Sequence, residues 1–129
     1  MKCILIVDSF RETMEITKEL LTYFDYQVIG ETDPFEALKI FSAQPEKFNL
    51  VITEQNMPGL SGVELAKKLR QINPYIPILF YSGSIDNEVL EKIKNLGHQR
   101  FILKPFSLKQ LLSAIRELLK ESEVMEMNT

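Results

Sequence analysis

The sequence is poor in cysteine and histidine and has no long apolar run, so it lacks the features that stabilise or anchor small proteins without an apolar core. Cys3 is its only cysteine, which excludes an internal disulfide and fits a reducing compartment. His98 is its only histidine, so multi-histidine metal sites are excluded and a zinc site of cysteine and histidine is disfavoured. The N-terminal apolar run, residues 3–7, is far shorter than a signal-peptide core or a membrane span. We therefore expect a cytoplasmic protein that does not bind membranes.

The charge balance also lacks a strong excess of one sign. Lysine and arginine number 15 and aspartate and glutamate 18, which gives a net charge of −3 over 129 residues. Nucleic-acid-binding surfaces usually carry a basic excess, so we expect no nucleic acid as a partner of this domain. Hydrophobic residues make up 45% of the chain and charged residues 26%, an ordinary globular composition. A chain of this length predicts one domain with its own core.

Short apolar runs alternate with amphipathic stretches along the chain. The apolar runs predict strands at residues 3–7, 27–32, 50–53, 76–81 and 100–103. Apolar residues at helical spacing follow each strand, most clearly from Leu108 to Leu119, whereas residues 121–129 lose this spacing and are predicted to be frayed. Four predicted helix starts pair a cap residue with Glu or Gln three positions later: Ser9 with Glu12, Asp33 with Glu36, Ser61 with Glu64, and Ser107 with Gln110.

This alternation predicts a parallel sheet, because parallel strands need crossover connections. The fold class is therefore α/β, with a doubly wound five-stranded parallel sheet between two layers of helices. Sites in such sheets form beyond the carboxyl ends of the strands. The polar residues at those ends are Asp8, Ser9, Glu54, Ser82 and Lys104. Together they predict one polar pocket in which acids, a lysine and a hydroxyl lie close to one another.

Four segments around these strand ends occur in an order typical of one family. They are residues 4–8 (ILIVD), 50–58 (LVITEQNMP) with Gly62 beyond, 77–83 (PILFYSG) and 101–106 (FILKPF). In them the chain resembles the receiver domain of response regulators in bacterial two-component signalling. The resemblance implies a flavodoxin-like strand order of 2-1-3-4-5 and a cis peptide bond before Pro105. It implies a receiver domain at residues 1–121 and a C-terminal tail or start of a linker at residues 122–129.

The resemblance also assigns a role to each polar residue of the predicted pocket. Glu54 occupies the position of the aspartate that accepts a phosphoryl group in the family. Asp8 and Ser9 occupy the positions of the two acids that hold Mg²⁺, and Asn56 occupies the position whose main-chain carbonyl ligates this ion. Lys104 matches the lysine that binds the phosphoryl oxygens.

Two departures from the family pattern change what this pocket is expected to do. Glu54 is one methylene longer than aspartate, and a misplacement of ~1 Å can cost ~10²-fold in rate. Ser9 replaces an acid, so Asp8, Glu54 and Asn56 remain as a weakened set of Mg²⁺ ligands. We therefore expect phosphorylation to be weak or absent and no cofactor to be bound firmly. The alternative is a Mg²⁺-dependent receiver that still accepts phosphate, at Glu54 or at Asp8.

Glu54 also suggests how the domain signals without phosphate. Its carboxylate is predicted to pair with Lys104 and to approach the Ser82 hydroxyl, which would lock the domain fully or partly in an active-like state. The simpler interpretation is an acid at a strand end, paired with Lys104 and without a signalling role.

The resemblance places the output on the surface of the molecule. Ser82 and Phe101 match the hydroxyl and aromatic pair that transmits phosphorylation to the surface formed by the fourth helix, fifth strand and fifth helix. The expected partners there are a sensor histidine kinase, another signalling protein or a second copy of the chain. The candidate contact residues are Val89, Leu90, Lys92, Lys94 and Arg100. This is protein–protein signalling rather than catalysis, and no residue is assigned a catalytic role.

A flavin- or nucleotide-binding domain of the same topology is the alternative from a different class. Its phosphate cradle needs a glycine-rich first loop, whereas residues 9–12 contain no glycine and carry Glu12. The sequence also lacks the motifs of a serine hydrolase. The single cysteine and the single histidine are expected to have no functional role. We expect Cys3 to be a small buried strand residue and His98 to be solvated.

Overall fold

A computed structural model of the chain describes residues 1–128 and contains one parallel sheet. Its strands are β1 (Cys3–Val7), β2 (Gln27–Glu31), β3 (Leu50–Glu54), β4 (Ile78–Ser82) and β5 (Gln99–Leu103). They are paired in the order β2-β1-β3-β4-β5. The predicted fold class and strand order are thereby confirmed.

The helices lie on both faces of the sheet. They are α1 (Arg11–Tyr23), α2 (Pro34–Ala43), α3 (Gly62–Ile72), α4 (Asn87–Asn95) and α5 (Leu108–Met127), with a short 3₁₀ helix at Pro45–Lys47. Every residue of β1, β3 and β4 is buried, since alternate side chains pack against α1 and α5 on one face and against α2, α3 and α4 on the other. Cys3 is buried in this core, as predicted. Within residues 1–128, no helix has the length and apolar character needed to cross a membrane.

Two of the four predicted helix starts form reciprocal capping boxes, at Ser61 with Glu64 and at Ser107 with Gln110. Asp33 caps α2 by accepting a hydrogen bond from the Phe35 N–H at 2.9 Å. Asp86 caps α4 by accepting from the Val89 N–H at 2.8 Å, a start that the sequence reasoning missed.

The predicted cap at Ser9 is wrong. Helix α1 begins at Arg11 with Phe10 as its N-cap residue. No side chain caps α1, and the Phe10 N–H donates to Asp8 Oδ1 at 2.9 Å. Asp8 is therefore tied to the start of α1 as well as to the pocket.

The predicted fraying at the C-terminus is wrong for residues 121–127, because α5 continues to Met127. Thr129 lies outside the described residues. The extension is held by contacts to His98, just before β5, and to Arg100 of β5. Ser122 Oγ lies 2.8 Å from His98 Nε2, and Glu121 pairs with the Arg100 guanidinium. His98 was expected to be solvated, but its side chain is only 8% exposed. The division at residues 121 and 122 into domain and tail or linker stays a prediction.

We expect these contacts to make stability depend on pH. Burial lowers the pKa of His98 below its ordinary 6.5; the nearby Glu121 carboxylate raises it, whereas Arg70 and Arg100 lower it further. The folded state favours the neutral ring. The contribution of His98 to the free energy of unfolding is therefore fully present above the ordinary pKa of histidine and is lost as the pH falls through the lowered pKa of the folded state. Urea unfolding between about pH 8 and about pH 5 should show a decline that the His98→Gln variant lacks. Identical pH profiles for the two proteins would contradict the role assigned to His98.

Arg70 holds two loops together at the amino end of the sheet, beside this histidine. Its guanidinium donates hydrogen bonds to four main-chain carbonyls, those of Ile76 at 2.8 Å, Leu96 at 2.9 Å, Gly97 at 3.0 Å and His98 at 3.0 Å. A planar group with five donors satisfies several carbonyls at once. The ends of α3 and α4 are thereby fixed to each other and to the residues that precede β4 and β5.

Candidate functional site

Three charged side chains meet beyond the carboxyl ends of neighbouring strands. Val7 of β1 lies opposite Thr53 of β3, so the next residues, Asp8 and Glu54, face the same edge of the sheet. Lys104 follows β5 and reaches across the end of β4 to both of them. Its ammonium lies 2.9 Å from Glu54 Oε2 and 3.8 Å from Asp8 Oδ2. The structure thus brings together the two acids and the lysine that the strand ends predicted.

The contact between Lys104 and Glu54 is the shorter of the two and is largely shielded from water. The side chain of Glu54 is 6% exposed and that of Lys104 is 25% exposed. A charge-assisted contact gains strength where water is partly excluded. The ammonium also lies 4.4 Å from the centre of the Tyr81 ring, which favours a cation over its face. Lys104 is therefore positioned by a carboxylate and an aromatic ring with no phosphate involved.

Asp8 is fully buried, and both of its carboxylate oxygens accept hydrogen bonds from the protein. Oδ1 accepts from the Phe10 N–H, and Oδ2 accepts from the Tyr81 hydroxyl. Burial raises the pKa of Tyr81, and the hydrogen bond to Asp8 raises it further, so the phenol keeps its proton. Sequence reasoning missed Tyr81, because a tyrosine within an apolar strand is interpreted as part of the hydrophobic core.

A second group of polar contacts lies on the other side of Glu54. Asn56 Nδ2 donates to Ser82 Oγ at 2.9 Å and to the Ser84 carbonyl at 3.4 Å. The Ser82 hydroxyl donates to the same carbonyl at 2.8 Å. Among the described residues, Ser82 thus bonds to Asn56 and Ser84 and not to Glu54, so the predicted approach of Glu54 to Ser82 is wrong. Asn56 lies between them, because its own N–H reaches Glu54 Oε1 at 3.5 Å.

The other predicted residues lie at the border of the site. Ser9 is half-buried next to Asp8. Phe101 is half-buried on β5, opposite Phe80 of β4, and packs against the core on the α4 face. The peptide bond between Lys104 and Pro105 is cis, as the resemblance implied.

The start of α3 packs directly on the end of β3 and fixes its direction. The Gly62 N–H donates to the Gln55 carbonyl at 2.9 Å, and the Val63 N–H donates to the Gln55 side chain at 3.0 Å. A Cβ atom at Gly62 would lie only 2.6 Å from the Glu54 carbonyl oxygen. The position therefore requires glycine for close approach of two backbones.

The residues at this edge do not fit the divalent cation that the resemblance implies. Mg²⁺ needs free oxygen ligands in near-octahedral geometry. Asp8 already accepts two hydrogen bonds, Glu54 is paired with Lys104, and Ser9 stands where a second acid is expected. Over residues 1–128, no group of three or more acidic, histidine or cysteine side chains is placed to hold a metal ion.

Comparisons with known proteins agree with this architecture. The family model described as the response regulator receiver domain matches residues 4–116. The chain belongs to this family. A receiver domain protein (CheY-like) from Methanospirillum hungatei has 29% identity and a TM-score of 0.91, over 97% of this chain and 98% of that one.

Two curated relatives match nearly all of this chain over about half of their own length. Alkaline phosphatase synthesis transcriptional regulatory protein PhoP of Bacillus subtilis is 32% identical over 95% of this chain and 50% of its own length. Probable transcriptional regulator ycf27 of Cyanophora paradoxa is 35% identical over 99% of this chain and 52% of its own. The receiver domain described here therefore spans about half the length of these relatives. Its family favours two-component signalling over the flavin- or nucleotide-binding alternative.

Proposed function

We propose that this receiver domain is a protein–protein signalling module whose state is set by the pairing of Lys104 with Glu54 and not by a phosphoryl group. The observation that carries the proposal is the 2.9 Å contact between Lys104 Nζ and Glu54 Oε2. It gives the lysine an anionic partner at the place where the family binds phosphoryl oxygens. Glu54 then acts as a permanent part of the pocket rather than as a phosphoacceptor.

The chemistry of the pocket supports this assignment. Phosphoryl transfer depends on a free nucleophile and on neutralisation of the charge on the transferred group. Here the carboxylate of Glu54 is bound to a lysine, and both carboxylate oxygens of the neighbouring acid, Asp8, accept hydrogen bonds from the protein. Phosphorylation of Glu54 would have to break the ion pair, with no cation site to compensate. We therefore expect phosphorylation to be weak or absent.

A route from the pair to the surface is available through hydrogen bonds. Glu54 contacts the Asn56 N–H, the Asn56 side chain contacts Ser82, and both side chains contact the Ser84 carbonyl. Ser84 lies in the loop that leads to α4. A change at Glu54 should therefore reach α4 through three neighbouring residues.

The proposed output surface is formed by α4, β5 and α5. Lys92 and Lys94 are exposed there, while Val89 and Leu90 are half-buried. Arg100 is engaged by Glu117 and Glu121 of α5. Lys92 and Lys94 form longer, exposed ion pairs with Glu88 and Glu91 of their own helix, so they are more available than Arg100. Exposed lysines beside partly covered apolar residues suit a signalling protein with an acidic rim, and the partner class is a sensor histidine kinase or another signalling protein. The alternative partner at this surface is a second copy of the chain.

The proposal is tested by phosphodonor treatment and by removal of the Glu54 charge. With acetyl phosphate and Mg²⁺, the wild type should show no phosphoryl adduct by intact mass, and its amide NMR spectrum should not change. The Glu54→Gln variant should move amide resonances of the loop after β4 and of α4, because it weakens the contact with Lys104. The matched control is Glu36→Gln, which removes an exposed glutamate paired with Lys39 and should act only locally.

Two results would overturn the proposal. One is a stoichiometric adduct on Glu54 of the wild type. The other is a Glu54→Gln spectrum in which changes stop at the immediate neighbours of residue 54, as they should in the Glu36→Gln control.

A further inference from the structure

Tyr81 is the buried residue of the pocket that the family resemblance does not explain. It is fully buried near the end of β4 and lies opposite Glu54 of β3 in the strand register. Its ring packs at 5.8 Å from that of Phe106, edge to face, in the core between the sheet and the helices α1 and α5. These contacts hold the ring and aim its hydroxyl at Asp8 across the end of β3.

The hydroxyl completes the set of partners of a buried carboxylate. Asp8 Oδ1 accepts from the Phe10 N–H, and Oδ2 accepts from Tyr81 with the Lys104 ammonium 3.8 Å away. Over the described residues, no buried side-chain nitrogen or oxygen lacks a hydrogen-bond partner. The pocket therefore needs no ion to satisfy its oxygen atoms.

A divalent cation at Asp8 would have to undo this arrangement. It would displace the Tyr81 hydroxyl from Oδ2 and leave a fully buried phenol without an acceptor, which costs free energy. It would also approach the Lys104 ammonium, which is close to the same oxygen and carries a like charge. The hydroxyl and the cation thus compete for one oxygen atom. The hydroxyl is always present there, because it belongs to a residue of β4.

We propose that Tyr81 closes the pocket to divalent cations, because its hydroxyl occupies the Asp8 oxygen that a metal ion would bind. Tyr81 is a positioning residue that acts through Asp8. The inference deepens the proposed function, on which it rests, since it names the residue that makes the pocket independent of metal.

The test compares Mn²⁺ binding by two variants that differ only in this hydroxyl. Ser9→Asp supplies the second carboxylate that a metal site needs, and Tyr81→Phe is added to it in the double variant. Phenylalanine keeps the ring beneath Lys104 and against Phe106 and removes only the donor. Electron paramagnetic resonance of free Mn²⁺ should show at least about tenfold tighter binding by the double variant, the size expected for one hydrogen bond to a charged group.

The matched control adds Tyr75→Phe to Ser9→Asp and should leave Mn²⁺ affinity unchanged, because Tyr75 is exposed and lies before β4. Circular dichroism of each variant verifies that it is folded. Equal Mn²⁺ affinity of Ser9→Asp with and without Tyr81→Phe would overturn the inference, and so would the absence of binding by both. A wild type that is phosphorylated on Glu54 would instead overturn the proposed function, so the two failures are distinguishable.

Discussion

Replacing Lys104 with methionine is expected to lower the free energy of unfolding by about 3 kcal/mol, the size seen when one partner of a buried ion pair is removed. Asp8 is fully buried and Glu54 is 5% exposed. Without the ammonium, two like charges remain at adjacent strand ends with little water to screen them. Methionine keeps an apolar stem of similar length over the Tyr81 ring, so the lost charge and not lost packing dominates the effect.

A second substitution separates charge from packing. Adding Glu54→Gln to Lys104→Met removes one of the unpaired carboxylates and should recover a large part of the lost stability. Lys39→Met is the matched control, because Lys39 forms an exposed ion pair with Glu36 and should change stability by less than about 1 kcal/mol. Urea unfolding of the four proteins measures these differences. If Glu54→Gln adds its own destabilisation instead of relieving that of Lys104→Met, the electrostatic explanation fails.

Replacing Gly62 with alanine is expected to cost about 2 kcal/mol, in the range found for overpacked cores. Helix propensity alone predicts the opposite sign, because alanine is favoured over glycine in helices by about 1 kcal/mol. The added Cβ would lie 2.6 Å from the Glu54 carbonyl oxygen and 3.0 Å from Gln55 Cα, both backbone atoms that cannot rotate away. The start of α3 or the end of β3 must move, and Glu54 moves with it.

Gly83→Ala is the control for this substitution. A Cβ at Gly83 meets nothing within 4 Å, so this variant should be neutral or slightly more stable. Thermal unfolding of both variants gives the comparison, and amide NMR resonances of residues 54–56 should shift in Gly62→Ala alone. A Gly62→Ala protein as stable as Gly83→Ala would mean that α3 accommodates the methyl group without displacing the strand.

Much of the fold follows from local pattern in the sequence. Buried strands are recognisable in the sequence as apolar runs. The capping boxes at Ser61 and Ser107 mark helix starts through short-range hydrogen bonds. The order of the strands came from the family resemblance, since alternation by itself does not determine it. The convergence of Asp8, Glu54 and Lys104 was predictable, because parallel strands end at one edge of the sheet.

What could not be predicted depends on contacts distant in the sequence. Tyr81 and Asp8 are 73 positions apart, and nothing local distinguishes this tyrosine from an apolar core residue. The last turns of α5 were expected to fray because their apolar spacing ends, yet contacts of Glu121 with Arg100 and of Ser122 with His98 hold them in place. Ser9 has the residue type of a cap, but α1 begins at Arg11 with Phe10 as its N-cap residue and without a side-chain cap.

The end of β4 has a consequence for how the strand finds its place in the sheet. Ile78, Leu79 and Phe80 are apolar and buried on both faces, so a shift by one residue would still bury apolar side chains everywhere. The two hydroxyls that follow break this symmetry, since Tyr81 must face Asp8 on one side and Ser82 must face Asn56 on the other. A shifted strand would exchange them and leave both sets of polar partners unsatisfied. The polar pocket thus specifies the alignment of a central strand that its apolar residues leave ambiguous.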